Sequence, residues 1–352
     1  MPFILDDETH MLMDTETRLI ADHYLSRFLS LGVRTTTQYA SWMLLEPKRG
    51  EYDWTTLDRT LGRCIKLGMK ALLTVKDVPL WCPEDWYAQN SEGKPHRKVY
   101  EYTDYPGLSP WNQEAQQYKD DFLKRVSQRY DPKFVMVIVP YFFYGETLLD
   151  PTQPALYDPH ARKSHQDFTG SADAPDIART DTQDWLRESL CKHFVARQKT
   201  VCELHPSREI WTALHRMYVV RRGYVCSGCS PEWIDYYYQK TVDEVKPDRF
   251  YGIQYTYFRT RGRFHRIVPF VQKDMERFGI RYFVGSEFVD GLMANTATAI
   301  DRGLRLLTAP QHEIRRKHKI TPDTFDAFAY SLGEYRKALD EGKLQRLSTH
   351  RV

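Results

Sequence analysis

Two glutamates, Glu146 in YFFYGET and Glu287 in FVGSEFVDG, each close an apolar, strand-like run in a turn of small residues. A carboxylate at the carboxyl end of a parallel strand stands at the mouth of the sheet, where α/β folds gather their reactive groups. Two of them divide a labour. Cleaving an acetal needs a proton on the departing oxygen and negative charge, or a nucleophile, on the far side of an oxocarbenium-like carbon. Glu146 follows Tyr144 and an aromatic run, and apolar surroundings raise a carboxyl's pKa, so it reads as the general acid. Glu287, behind Gly285 and Ser286, reads as the ionised group that attacks.

Positioning such a pair requires a regular scaffold, and the chain carries one in its punctuation. Gly32–Gln38, Lys70–Lys76, Phe134–Tyr141, Ile210–Met217, Phe250–Phe258, Arg281–Ser286 and Leu304–Leu307 read as strands, with Phe3–Leu5 as a first, weaker one. Between them lie amphipathic stretches with apolar residues at every fourth place: Leu57, Leu61 and Ile65; Tyr118, Phe122, Val126 and Tyr130; Ile267, Val271, Met275 and Phe278. Gly32, Gly68 and Gly279 each precede a strand, where a helix end favours a residue tolerant of the left-handed conformation. Alternation of this kind predicts an α/β fold, a (β/α)8 TIM barrel forming one domain over residues 1–352. Thr147 to Gln183 breaks the rhythm with four prolines and many turn formers, and reads as a long loop after the fourth strand that overhangs the mouth as a lid.

Other residues fall at or near strand ends, where they would line sugar subsites or orient Glu287: Trp42, Trp81, Tyr144, His215, Tyr255 and Tyr257, with Asp77 and Arg216 beside them. For Trp42 and Trp81 packing is an equally good account. Glu46, in a Glu-Pro before a turn, reads as structural, and Thr55 or Thr56 as the cap of the next helix.

Composition narrows the partner. Lys and Arg number 50 against 47 Asp and Glu, a net charge of +3 spread evenly, which argues against nucleic acid. Aromatics stand out: 23 Tyr, 17 Phe and 8 Trp make 14%, and flat rigid rings suit the apolar faces of pyranoses. A carbohydrate is the expected partner, with no cofactor and no membrane; oligomeric state is not legible. The acidic start MPFILDDETHMLMD does not resemble a signal peptide, which gives a cytoplasmic expectation. Of six cysteines only Cys226 and Cys229 form a CxxC, and no second pair completes a zinc site, so no metal is expected. No GxGxxG, P-loop, HExxH or GxSxG accompanies them.

From Gly32 to Trp86 the chain shows Trp42-x-x-x-Glu46-Pro47, a basic-Gly turn, Tyr52-Asp53-Trp54, Leu57-Asp58, Gly68-Met69-Lys70 and Pro79-x-Trp81. This run resembles the second and third βα units of the glycoside hydrolase clan that contains the family 42 β-galactosidases. The resemblance implies a glycosidase barrel with an acid/base glutamate after strand four and a nucleophile after strand seven. Counted along this chain, those are Glu146 and Glu287, and the mechanism implied is retaining. Two positions depart from the pattern: Gly145 stands where the clan has Asn, and Arg34 lies two residues early for the strand-two arginine. The Gly-Glu pair also resembles the acid of the inverting β-amylases. A barrel that binds glycans or assists polysaccharide assembly without turnover is the alternative reading.

Overall fold

The computed structural model describes residues 11–13, 20–76, 78–95, 97–100, 103–140, 155–206, 208–211, 231–256, 264–286, 296–297, 299–301, 305–308 and 322–344. The strands are β1 (Met11–Met13), β2 (Thr35–Ser41), β3 (Lys70–Lys76), β4 (Arg97–Tyr100), β5 (Thr103–Pro106), β6 (Val135–Pro140), β7 (Glu209–Trp211), β8 (Arg249–Thr256), β9 (Ile280–Ser286) and β10 (Arg305–Thr308). The helices are α1 (Asp22–Ser30), the single turn α2 (Trp42–Leu45), α3 (Thr55–Lys66), α4 (Gln113–Arg129), α5 (Pro159–Thr169), α6 (Thr180–Leu204), α7 (Pro231–Lys240), α8 (Phe264–Phe278) and α9 (Pro322–Asp340).

Eight strands form one sheet in the order β6-β3-β2-β1-β10-β9-β8-β7, every ladder parallel, while β4 and β5 pair as a separate antiparallel hairpin. Along the chain β6 is the fourth strand of that sheet and β9 the seventh. The sequence-based expectation placed the first strand at Phe3–Leu5. Those residues lie outside the described ones, and the strand paired between β2 and β10 is Met11–Met13.

One face of the sheet is covered by helices. Ala40, Leu73, Val75, Val135, Ile210, Phe250 and Tyr282 share a single apolar cluster with helix residues such as Leu57, Phe122, Leu190, Ile234 and Tyr238. A second cluster joins α1 to α9 through Leu25, Phe28, Phe325 and Phe328. Of the expected helix faces Leu57, Leu61, Phe122, Val126, Val271 and Phe278 are buried and Tyr118, Tyr130 and Met275 half-buried, the Ile267 side chain lies outside the described ones, and in α3 the third contact is Cys64 while Ile65 is 41% exposed. A strict spacing of four drifts off the buried stripe of a 3.6-residue helix, and a step of three corrects it. Gly32, Gly68 and Gly279 have φ of 90°, 69° and 65°, as their helix-ending positions require.

Residues 147–183 were expected to form an irregular lid. Within their described part, 155–183, the chain builds α5 instead, with Asp158 as its cap, Pro159 in its first turn and Gly170 left-handed at its end. Ala155, Leu156, Ala161 and His165 are buried against the neighbouring helices, so the segment is part of the packed layer. Pro159 and Gly170 mark the two ends of that helix. Behind it α4 and α6 meet through a buried ion pair, Arg197 Nη1 to Asp120 Oδ1 at 2.6 Å, with Arg197 also donating to Gln116 Oε1 at 2.8 Å and Lys119 only 3% exposed nearby.

Candidate active site

The loops leaving β2 and β3 are built around one buried carboxylate. Glu46 is fully buried, and it accepts from the Trp42 indole Nε1 at 2.6 Å, the Gly50 amide at 2.7 Å and the Tyr118 hydroxyl at 3.0 Å. Its own carbonyl accepts from Trp81 Nε1 at 2.8 Å. Rings wall it in: Trp42 stacks on Tyr118 and Phe122, Trp81 meets Trp42, Tyr118 and Trp86 edge-on, and Arg49 lies over Trp81, Trp86 and Tyr118. Gly50 turns at φ 82°, which lets its amide reach back to the carboxylate. Burial first, and then the charge of Glu46, push the Tyr52 hydroxyl above the ordinary phenol range, and burial with a hydrogen bond to Glu46 does the same to Tyr118. Cys82 beside them is pushed up to about 12 by burial and then by Glu46, so its thiol is inert. The reading of Glu46 as structural agrees with this geometry. The cap of α3 does not come from Thr55 or Thr56: Asp53 accepts from the Thr55 amide at 2.9 Å, and hydrogen bonds from the Thr55 side chain and then its amide lower the Asp53 pKa.

The face of the sheet turned away from the helices is different. Thr35, Thr37 and Tyr39 of β2, Leu72, Thr74 and Lys76 of β3, Glu209 of β7, Arg249 and Tyr251 of β8 and Phe283 of β9 lie outside both apolar clusters. At its amino end this face is closed, with the ion pair of Glu209 and Arg249 buried at 3.6 Å and Tyr251 against Phe283. Toward the carboxyl ends Tyr39, Thr74 and Lys76 are half-buried where Thr35, Thr37 and Leu72 are buried, although Lys70 at the amino end is half-buried and Ser41 at the carboxyl end is buried. There the Lys76 Nζ sits 4.0 Å over the Tyr39 ring, and Ser41 pairs with Lys76 in the ladder. The Ser41 hydroxyl is buried and, among the described residues, has no hydrogen-bond partner.

Of the residues anticipated for this site, Glu146, Glu287, Tyr144, His215 and Tyr257 lie outside the described residues, as do Asp77, Arg216 and the Cys226–Cys229 pair. Tyr255 is described in its backbone, pairing with Gly285 near the carboxyl ends of β8 and β9. Trp42 and Trp81 are placed in the Glu46 box, Trp42 fully buried and Trp81 half-buried, and their indoles are spent on Glu46. Packing accounts for Trp42. Trp81 keeps part of its ring toward solvent beside Leu80, which is 74% exposed. Tyr39, Ser41 and Lys76 were not singled out from the sequence. The alternation in KALLTVK places Lys76 with Leu72 and Thr74 on the face away from the helices, and that signal was there to be used. No group of three or more acidic, His or Cys residues able to hold a metal is present among the described residues.

The sequence profile of a β-galactosidase family, glycoside hydrolase family 42, matches residues 15–139, the stretch from before α1 through β6. No curated protein matches the sequence. Among solved structures, the catalytic domain of β-amylase from Paenibacillus polymyxa superposes with a TM-score of 0.62 at 12% identity, covering 94% of this chain and 99% of that one. β-Galactosidase from the psychrophilic Marinomonas ef1 superposes with a TM-score of 0.57 at 11% identity over 96% of this chain and 61% of that one, so the chain spans about three-fifths of that enzyme's length. The chain therefore resembles the family 42 clan of glycoside hydrolases, in sequence from α1 through β6 and in fold over nearly its whole length.

Proposed function

We propose that the chain is a glycoside hydrolase, one (β/α)8 catalytic unit with Glu146 as general acid/base and Glu287 as nucleophile. The observation that carries this reading is topological. β6 and β9 are the fourth and seventh strands of the parallel sheet, Glu287 is the next residue in sequence after β9, and Glu146 comes soon after β6 in sequence. Positions just past the carboxyl ends of the fourth and seventh strands of a parallel sheet support a role for both carboxylates at that side. Closure of the barrel is supported by the packing of β6 against β7, the two end strands, and by His205, whose Nε2 donates to the Val135 carbonyl at 2.7 Å across that seam.

In this mechanism Glu146 protonates the glycosidic oxygen while Glu287 attacks the anomeric carbon, and Glu146 then takes a proton from the water that releases the sugar. Tyr144, His215, Tyr255, Tyr257 and Trp81 would hold the sugar. E146Q and E287Q are each expected to lower kcat on an activated aryl glycoside by about 10²–10⁴, with the fold unchanged by circular dichroism. Near-parent turnover in either variant overturns the assignment. A second reading, inversion, is favoured by Gly145 before Glu146 and by the likeness in fold to a β-amylase. The anomer first released, followed by proton NMR, separates the two: retention requires the carboxyls about 5–5.5 Å apart, inversion roughly 6.5–9.5 Å.

A further inference from the structure

We propose that Lys76, with Tyr39 and Ser41 beside it, recognises a negatively charged substituent on the sugar bound at the open end of the sheet. The inference rests on the glycosidase reading for the word sugar, but its geometry stands without it. Lys76 is the last residue of β3, on the face away from the helices, at the level where that face passes from buried to half-buried. Several surface lysines hold a carboxylate, as Lys94 does with Glu92 at 2.8 Å, Lys163 with Asp167 at 2.7 Å, Lys240 with Glu244 at 3.1 Å and Lys343 with Glu341 at 2.6 Å. Lys76 has no carboxylate within ion-pair distance among the described residues. What it has is the Tyr39 ring at 4.0 Å.

The Lys76 side chain is half-buried, and its ammonium rests on an aromatic face, which is a weaker partner for a cation than an anion is. An arriving anion completes the compensation, and it does so by a charge-assisted hydrogen bond. Ser41 supplies a second contact of the right kind. Its hydroxyl, in the ladder step beside Lys76, is more than nine-tenths buried and has no partner among the described residues, although it opens α2 and could have capped it. A buried hydroxyl without a partner is held at a cost to the fold. Two such uncompensated polar groups on adjacent strand ends, next to an aromatic ring, form the corner of a site for a ring bearing a carboxylate or a phosphate. A neutral hydroxyl in that corner would leave the ammonium uncompensated.

The test compares the parent with Lys76→Met on 4-nitrophenyl glycosides in matched sets, neutral hexoside, hexuronide and 6-phosphohexoside, in gluco and galacto forms and both anomers. The parent is expected to prefer one charged set by at least about tenfold in kcat/KM, with Lys76→Met losing that preference and Lys76→Arg keeping most of it. Which charged set is preferred identifies carboxylate or phosphate. A parent that prefers neutral glycosides, or a Lys76→Met variant that slows charged and neutral substrates alike, overturns the proposal. If no glycoside in the panel is cleaved, calorimetric titration with glucuronate, galacturonate, glucose 6-phosphate and glucose decides. Binding of a charged sugar that Lys76→Met abolishes upholds the site while the hydrolase reading falls; no charged sugar bound by the parent sinks the site itself.

Discussion

The Glu46 box is built on the segments that follow β2 and β3, and Ser41 and Lys76 are the last residues of those same strands, yet the polar groups of the two places are handled in opposite ways. At Glu46 the buried charge meets an indole, an amide and a phenol, and its carbonyl meets a second indole. At the ends of β2 and β3, an ammonium has an aromatic ring for company and a buried hydroxyl has no partner among the described residues. A fully bonded buried charge fixes the shape of its surroundings, whereas an unbonded one is held at a cost to the fold that only a ligand removes. The aromatic box is therefore framework for the segments after β2 and β3, and the strand-end corner is the part left to meet a ligand.

Glu46→Gln is the severest way to break that contrast. The amide nitrogen must face a donor, either the Trp42 indole or the Gly50 amide, so a buried clash of donors replaces a bonded carboxylate. We expect a loss of about 3 kcal/mol in urea unfolding, in the range of a buried charge network broken on one side. If the variant unfolds at the parent midpoint, the box is not framework.

Lys119 tests the same contrast inside the helical layer, where two cations, Lys119 and Arg197, share Asp120. Burial, and then the charge of Arg197, push Lys119 down to about 7 from 10.5. Above pH 7 the native chain has given up a proton that the unfolded chain still holds, so stability rises with pH, by up to about 1.4 kcal/mol per unit. The clean window is pH 7 to 9, because above the ordinary thiol value of 9.0 the raised Cys82 begins to subtract stability. Lys119→Met is expected to flatten the rise across that window and to add about 2 kcal/mol at pH 7. Parallel pH profiles for parent and variant would show that Lys119 keeps its ordinary titration.

Asp158 is an intermediate case, bonded on one oxygen and not on the other. Oδ1 accepts from the Ser109 hydroxyl at 2.9 Å and from the amides of Ala161 and His160 at 3.0 and 3.1 Å, while Oδ2 has no partner among the described residues. Asp158→Ala should cost about 1–2 kcal/mol through the lost cap, whereas Asp158→Asn, which keeps the accepting oxygen, should stay within about 0.5 kcal/mol. Equal losses in the two variants would mean that the carboxyl, rather than the cap, holds α5.

How much of this was legible in the sequence follows from what each signal measures. Apolar runs gave β3 at its observed bounds and β6, β9 and β10 to within a residue, because buried parallel strands are nearly continuous hydrophobic stretches. β2 was expected over Gly32–Gln38 and runs over Thr35–Ser41, since Gly32 and Val33 still close α1 by bonding back to Leu29 and Phe28. That shift of three residues hid Tyr39 and Ser41, the mouth end of the strand. Glu46 was legible as structural from its Glu-Pro setting, but its partners Tyr118 and Phe122 come from a distant helix, and no local pattern reports such contacts. α5 was missed because Pro159 and Gly170 were read as loop punctuation, when they stand at the start and the end of a helix.

Ser41→Ala carries the smallest expected effect and the most informative sign. The substitution removes one oxygen from a buried position where, among the described residues, nothing is bonded to it, and leaves the backbone pairing of β2 with β3 intact. The native state is then relieved of an unsatisfied polar group, so stability should rise by about 0.5 kcal/mol, opposite in direction to Glu46→Gln. The gain should come with weaker binding of the charged sugar, because a hydroxyl kept at a cost to folding is one that a ligand uses. A loss of stability on removing it, read from the same urea titrations, would mean that Ser41 is bonded in the folded chain after all, and the contrast between framework and site would have to be redrawn without it.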